Sequence, residues 1–122
     1  MAYKLVKIGG KEVPMMAMAS INIYYKRIFG RDPIKVQATK DYDLGDQINL
    51  YLEMGFAMAK FYELKADRKE MAKLNEDAYM DWLEQFEMMD MMTSFTDILD
   101  LWNIENLTHA TAKKKNGRST GK

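Results

Sequence analysis

The side chains that most often carry out chemistry are scarce in this 122-residue chain. It has no cysteine, and His109 is its one histidine. A thiolate nucleophile is therefore excluded, and neither a histidine-based metal site nor Ser–His catalysis is expected. Gly9-Gly10 lacks the spacing of a phosphate-binding loop. Carboxylates recur every three or four residues, which is typical of a solvated helix face. We predict a protein that is not an enzyme and that uses no cofactor or metal.

Methionine, by contrast, is in excess, with 12 in the chain, and four of the five residues in 88–92 are methionine. Thioethers are soft ligands for Cu(I), but no histidine or cysteine stands beside them. Methionine is also flexible and polarizable, and surfaces that bind varied apolar partners use it often. We predict that the four divide between core and surface, and the alternative is that all of them fill an irregular core junction. The candidate partner-binding residues are Met88, Met89, Met91 and Met92, with Glu84, Glu87 and Asp90 as an acidic rim.

The elements that position these residues are predicted to be mainly helical. The first is a β-hairpin over residues 3–15, turning at Gly9-Gly10, in which Pro14 restricts the second strand to a sheet edge. Helical periodicity then predicts helices at about 20–29 and 33–39. Ser20 and Asp32 are their expected N-caps, and Gly30 is the expected stop of the first. The hairpin is expected to pack on these helices, because a lone hairpin is marginal in water.

A long helix is predicted at about 43–64 and lies at the centre of the fold, because two apolar stripes imply cover on two sides. One helical turn around 69–74 interrupts the polar segment that follows. Two further helices are predicted at about 77–88 and 93–102, the second capped by Thr93 or Ser94, so that the methionine run straddles their junction. The prediction is a single domain over 1–105, a small bundle of four to five helices with the hairpin, and a disordered basic tail over 106–122.

The net charge of zero hides a pattern along the chain. Residues 1–40 hold eight lysines and arginines against two acids, a net charge of +6. Residues 41–105 hold five against sixteen, −11, and residues 106–122 hold five and no acid, +5. Opposite charges on one small domain predict head-to-tail association between copies, with Lys26, Arg27 and Arg31 as candidate self-association residues. The alternative is neutralisation across one compact surface.

Several short motifs, in this order, resemble the tail assembly chaperones of long-tailed phages and prophages of Gram-positive hosts. The likeness covers roughly residues 10–115, and it depends on the order and spacing of the motifs. Asn103-Ile104 departs from the Gly-Leu that the family pattern has after its Leu-Trp. The matching positions are Val13, Pro14, Ala17 and Ala19, then Tyr25, Lys26, Arg27, Phe29, Gly30, Arg31 and Asp32, then Trp82, Leu83, Glu84, Gln85, Phe86 and Glu87, and last Leu101 and Trp102.

The resemblance implies a function and partners. Such chaperones keep the tape measure protein soluble while the tail tube polymerises around it. They act in the host cytoplasm, associate with themselves and are absent from the mature virion. Many also have a longer form, made by programmed ribosomal frameshift, that recruits the tail tube protein, and Lys113–Lys115 is where a slippery codon run would lie. No membrane span, export signal or specific nucleic-acid partner is expected.

Two other classes of function stay open. A small structural adaptor of the phage would remain in the finished particle, whereas a chaperone would not. A nucleic-acid-binding regulator would use the basic residues 1–40 and bind DNA with a steep dependence on salt.

Overall fold

The computed structural model describes residues 2–103, and in that range a β-hairpin is followed by six helices. The predicted class, mainly helical with an N-terminal hairpin, is confirmed. The predicted tail over 106–122 lies outside the described residues. The elements are β1 (Ala2–Ile8), β2 (Lys11–Ala17), α1 (Ile21–Phe29), α2 (Pro33–Gln37), α3 (Leu44–Glu63), α4 (Arg68–Met71), α5 (Glu76–Leu83) and α6 (88–103).

The hairpin forms where the sequence predicts it and covers one side of the helices. Gly9, the first of its two turn residues, has φ +64°, which is the backbone that a type II′ turn needs at that position. Val6 and Met15 are fully buried on the inner face, where β2 packs against α3. Pro14 pairs with Leu5 in this two-stranded sheet, so the proline does stand in an edge strand.

The central helix is α3, as its two apolar stripes predict. A capping box between Asp43 and Asp46 starts the helix. The six consecutive residues 54–59 are all buried, so the middle of α3 is covered on every side. Gly55 lets α6 pack closely on α3, because a methyl group at this position would lie 2.8 Å from Cδ1 of Ile98 in α6. The apolar stripe does not reach the first turn, where Leu44 is 64% exposed.

Two of the three predicted end signals around α1 and α2 are confirmed. Gly30 ends α1 in the left-handed conformation, and the Asp32 carboxylate accepts hydrogen bonds from the first turn of α2. Ser20 does occupy the N-cap position of α1, but its side chain makes no capping hydrogen bond, so only its position is as predicted. No helix within residues 2–103 is long and apolar enough to cross a membrane.

The predicted bounds of the last two helices are wrong. Helix α5 ends at Leu83 instead of near residue 88, and α6 begins at residue 88 instead of 93. Thr93 and Ser94 lie inside α6, where their hydroxyls donate to the carbonyls of Asp90 and Met91 and cap nothing. The methionine run therefore forms the first turns of α6, and the junction is the segment 84–87.

Candidate partner-binding site

The four clustered methionines differ sharply in exposure. Met91 is 4% exposed, whereas Met88 is 80%, Met89 70% and Met92 37% exposed. The expected division between core and surface is what the structure shows, with one methionine inside and three outside. Burial alone does not assign a partner to the exposed three.

An apolar cleft of about 250 Å³ opens at the start of α6. Leu52 comes from α3, Leu83 ends α5, and Phe86 lies in the junction between α5 and α6. We call it the methionine cleft, and the side chains lining it are Leu52, Leu83, Phe86, Met88, Met91 and Met92. Its volume falls below the roughly 300–1,000 Å³ of small-molecule sites, so it suits one or two apolar side chains of a partner.

The junction 84–87 makes this cleft by turning the chain tightly. The amide of Gln85 donates to the carbonyl of Trp82 at 3.3 Å, and that of Phe86 donates to Leu83 at 3.1 Å. These bonds span three residues, as in a 3₁₀ turn, so α5 stops and α6 starts in a new direction. The Phe86 ring packs edge-on against buried Trp82 with 5.2 Å between the ring centroids. Phe86 is thereby held half-buried at the cleft wall.

The three acids of the predicted rim do not behave alike. Glu84 and Glu87 are exposed, and neither forms an ion pair with any residue in 2–103. Asp90 is half-buried against the hairpin turn, where a methyl group on Gly9 would lie 2.5 Å from its Oδ2. The solvated acidic rim is therefore Glu84 and Glu87, and Asp90 as a rim residue is corrected to one that packs on the hairpin.

A second groove, of about 640 Å³, runs beside β2 and shares Phe86 with the methionine cleft. Lys11 lies where the two meet, with Nζ 5.4 Å from the Phe86 ring centroid and 3.4 Å from the Gln85 carbonyl. No sequence signal predicts this groove, because its walls come from distant segments. Its lining is Lys11, Glu12, Val13, Pro14, Ala59, Lys60, Tyr62, Glu63, Trp82, Gln85 and Phe86.

The candidate self-association residues also separate. Lys26 and Arg27 are exposed on α1, and within the described range neither forms an ion pair. The Arg27 guanidinium lies 5.8 Å from the ring centroid of its neighbour Tyr24. Arg31 instead pairs with Glu53 of α3. Part of the N-terminal positive charge is thus neutralised inside the chain, as the alternative interpretation expects.

Glu53 anchors a polar network that ties α1 and the turn after it to α3. The Tyr25 hydroxyl donates to Glu53 Oε1 at 2.5 Å, and Arg31 pairs with the other carboxylate oxygen. Burial, and then the hydrogen bond to Glu53, raise the pKa of Tyr25 well above its usual value. Burial likewise raises the pKa of Tyr79 in α5, with a further contribution from the Glu53 charge. Tyr25, Glu53 and Arg31 satisfy one another within the chain, which indicates a structural role.

Residues 2–103 contain no group of three or more histidines and acids placed to hold a metal ion. Comparisons with models of protein families, with curated proteins and with solved structures found no match. The lining and the exposure of the methionine cleft are therefore the observations that bear on its role.

Proposed function

We propose that this protein is a phage tail assembly chaperone that keeps the tape measure protein soluble and helps recruit tail tube subunits. The observation that carries the proposal is the methionine cleft, an open apolar site next to a junction whose two glutamates form no ion pair within residues 2–103. The choice of family is supported by the order of the short motifs, which resembles that of phage tail assembly chaperones. A chaperone of this kind needs to hold apolar segments of varied shape without a fixed geometry, and this is what a flexible, methionine-lined surface provides.

The exposed methionines give the cleft its binding energy. Of the methionines that line it, Met88 exposes most of its side chain and Met92 about a third. Burying one such side chain contributes about 1.5–3 kcal/mol when it is fully covered. Two partly covered methionines thus support a weak, reversible contact, because ordering the client offsets part of the gain. Reversibility suits a client that is later enclosed by the tail tube.

The acids beside the cleft select among apolar segments. Glu84 and Glu87 do not line the cleft, but both are exposed in the same four-residue junction as Phe86, which does. We expect a bound segment to come close to their negative charge. Electrostatic complementarity favours client segments with lysine or arginine next to their apolar residues and disfavours acidic ones. The effect weakens with salt, because charges at the surface are screened over about 8 Å at physiological ionic strength.

The test is a pair of matched methionine substitutions. Met88→Gln together with Met92→Gln alters the exposed wall of the cleft, whereas Met80→Gln alters a methionine of α5 that is 51% exposed and does not line it. The free energy of unfolding of each variant is expected to lie within about 0.5 kcal/mol of the wild-type value, because the substituted side chains lie at the surface. Each variant is co-expressed with a fragment of the tape measure protein, and the soluble fraction of that fragment is measured.

We expect the Met88/Met92 variant to lose most of the soluble fragment and the Met80 variant to retain it. If the fragment were equally soluble with the wild type and with both variants, the proposed role of the cleft would be contradicted. A second measurement separates the chaperone from an adaptor, since mass spectrometry of purified particles should detect the tape measure protein and not this chain. Its presence there in stoichiometric amounts would favour the adaptor.

A further inference from the structure

Helix α1 presents a surface that resembles the methionine cleft with the charges reversed. Ile23 is 55% exposed, and Lys26 and Arg27 follow it at the spacing of three and four residues that places side chains on one helix face. Neither cation forms an ion pair within the part of the chain that the structure describes. We call Ile23, Lys26 and Arg27 the basic face.

The basic face cannot reach the methionine cleft of its own chain. The indole Nε1 of Trp102 donates to the Asn22 side-chain oxygen at 2.9 Å, which fixes the start of α1 beside the far end of α6. Met88 lies fourteen residues earlier in α6, about 21 Å away at the helical rise of 1.5 Å per residue. Ile23, next to Asn22, therefore lies at the opposite end of α6 from the cleft, so it can enter a methionine cleft only in a second copy of the chain.

We infer that, when no client is bound, the methionine cleft of one copy holds the basic face of a second copy. Ile23 enters the cleft, and Lys26 and Arg27 pair with Glu84 and Glu87. Charge complementarity selects this occupant, because each surface has an exposed apolar residue beside two charges that form no ion pair within residues 2–103. The contact joins two different surfaces, so it is head to tail and extends to rings or filaments.

Self-association then regulates the same cleft. A second copy shelters the exposed methionines from water and from unrelated apolar surfaces, and a client displaces that copy by competing for the same site. The self-association rests on the two surfaces alone, whereas the competition also rests on the proposed chaperone function. Addition of client is therefore expected to dissociate the oligomer.

Charge reversal with complementation tests the contact. One variant carries Lys26→Glu and Arg27→Glu, and a second carries Glu84→Lys and Glu87→Lys. The control carries Lys35→Glu and Lys40→Glu, which changes the same charge at two exposed positions outside the basic face. Sedimentation velocity of the full chain measures association for each variant alone and for the first two mixed.

Each of the first two variants alone is expected to associate about tenfold more weakly than the wild type, since two attractive pairs become repulsive. The mixture is expected to associate again, with the two variants alternating, because the two reversed surfaces attract each other and so do the two unchanged ones. The control is expected to associate like the wild type. A monomeric wild type, wild-type association of the Lys26/Arg27 variant, or a mixture that stays monomeric would overturn the inference.

The client assay separates this inference from the proposed function. The Lys26/Arg27 variant has an intact cleft, so it should be monomeric and still keep the tape measure fragment soluble. If Met88→Gln with Met92→Gln abolishes client solubility but leaves association unchanged, the self-association contact is wrong and the function stands. If that variant loses association but still keeps the client soluble, the function is wrong and the contact stands.

Discussion

The middle of α3 and the first turn of α6 use the same residue type for opposite purposes. Met54 and Met58 in α3 have no exposed surface, whereas Met88 and Met89 in α6 are 80% and 70% exposed. The first pair lies where the hairpin, α1, α5 and α6 all surround one helix. The second pair lies where α6 has only its Met91 side covered. The role of a methionine is thus set by how many layers surround its helix.

The two regions also differ in their charged residues. No ionisable residue occurs in the buried stretch 54–59 of α3, so nothing there needs a charged partner. The segment 84–92 has Glu84 and Glu87 at the surface, close in sequence to the exposed methionines. An exposed apolar patch without charges nearby is an aggregation liability in a monomer. The buried methionines of α3 need no such charges, whereas the exposed ones of α6 lie near two.

The largest difference in stability is expected when one methionine from each region is truncated to alanine. Met54→Ala is expected to lower the free energy of unfolding by about 2–5 kcal/mol, because it leaves a cavity in a fully buried position. Met89→Ala is expected to change it by less than about 0.5 kcal/mol, because its side chain is mostly in water. Urea denaturation followed by circular dichroism measures both. Similar losses in the two variants would show that the α6 turn is also part of the core.

Overfilling α3 should have the next largest effect. Gly55→Ala places a methyl group 2.8 Å from Ile98 Cδ1, and we expect a loss of about 1–3 kcal/mol despite the better helix propensity of alanine. The double variant with Ile98→Val removes that terminal methyl group and should recover part of the loss. Stability equal to or above that of the wild type in Gly55→Ala would mean that α6 yields easily at this contact, unlike the rest of the core.

The sequence predicts the elements with strong boundary signals and misses the one without them. Gly9, Gly30 and the Asp32-Pro33 pair mark a turn, a helix end and a helix start, and each does so in the structure. Segment 84–87 has no glycine, proline or asparagine, and its glutamates and glutamine favour helix. Its turn arises from packing of Phe86 on Trp82, which local propensity does not encode.

The candidate site is likewise predictable only where it depends on residues that are close together in sequence. The four methionines and three acids lie close together in sequence, so the sequence indicates the cluster but not which of its members are exposed. Asp90 looks like the other acids in sequence, and only the folded hairpin shows that it packs on Gly9. The groove beside β2 and the basic face opposite the cleft depend on the order of elements in space. Periodicity along one helix carries no such information.

The core and the α6 turn should also differ in alkaline solution. Burial raises the pKa of Tyr25 and Tyr79 above their usual value near 10, so the folded state keeps these protons after the unfolded state has lost them. Their contribution to stability is complete below pH about 10 and falls as pH rises above it, by up to about 1.4 kcal/mol per pH unit for each tyrosine.

Tyr25→Phe should flatten this alkaline fall, although it loses some stability at neutral pH because the hydrogen bond to Glu53 is gone, about 0.5–1.5 kcal/mol. Met88→Gln should leave the fall unchanged, because its side chain lies in water and outside the tyrosine network. Urea midpoints measured between pH about 9 and about 11 separate the two variants. An equally steep fall in Tyr25→Phe and the wild type would show that Tyr25 titrates alike in both states, which its burial between α1 and α3 argues against.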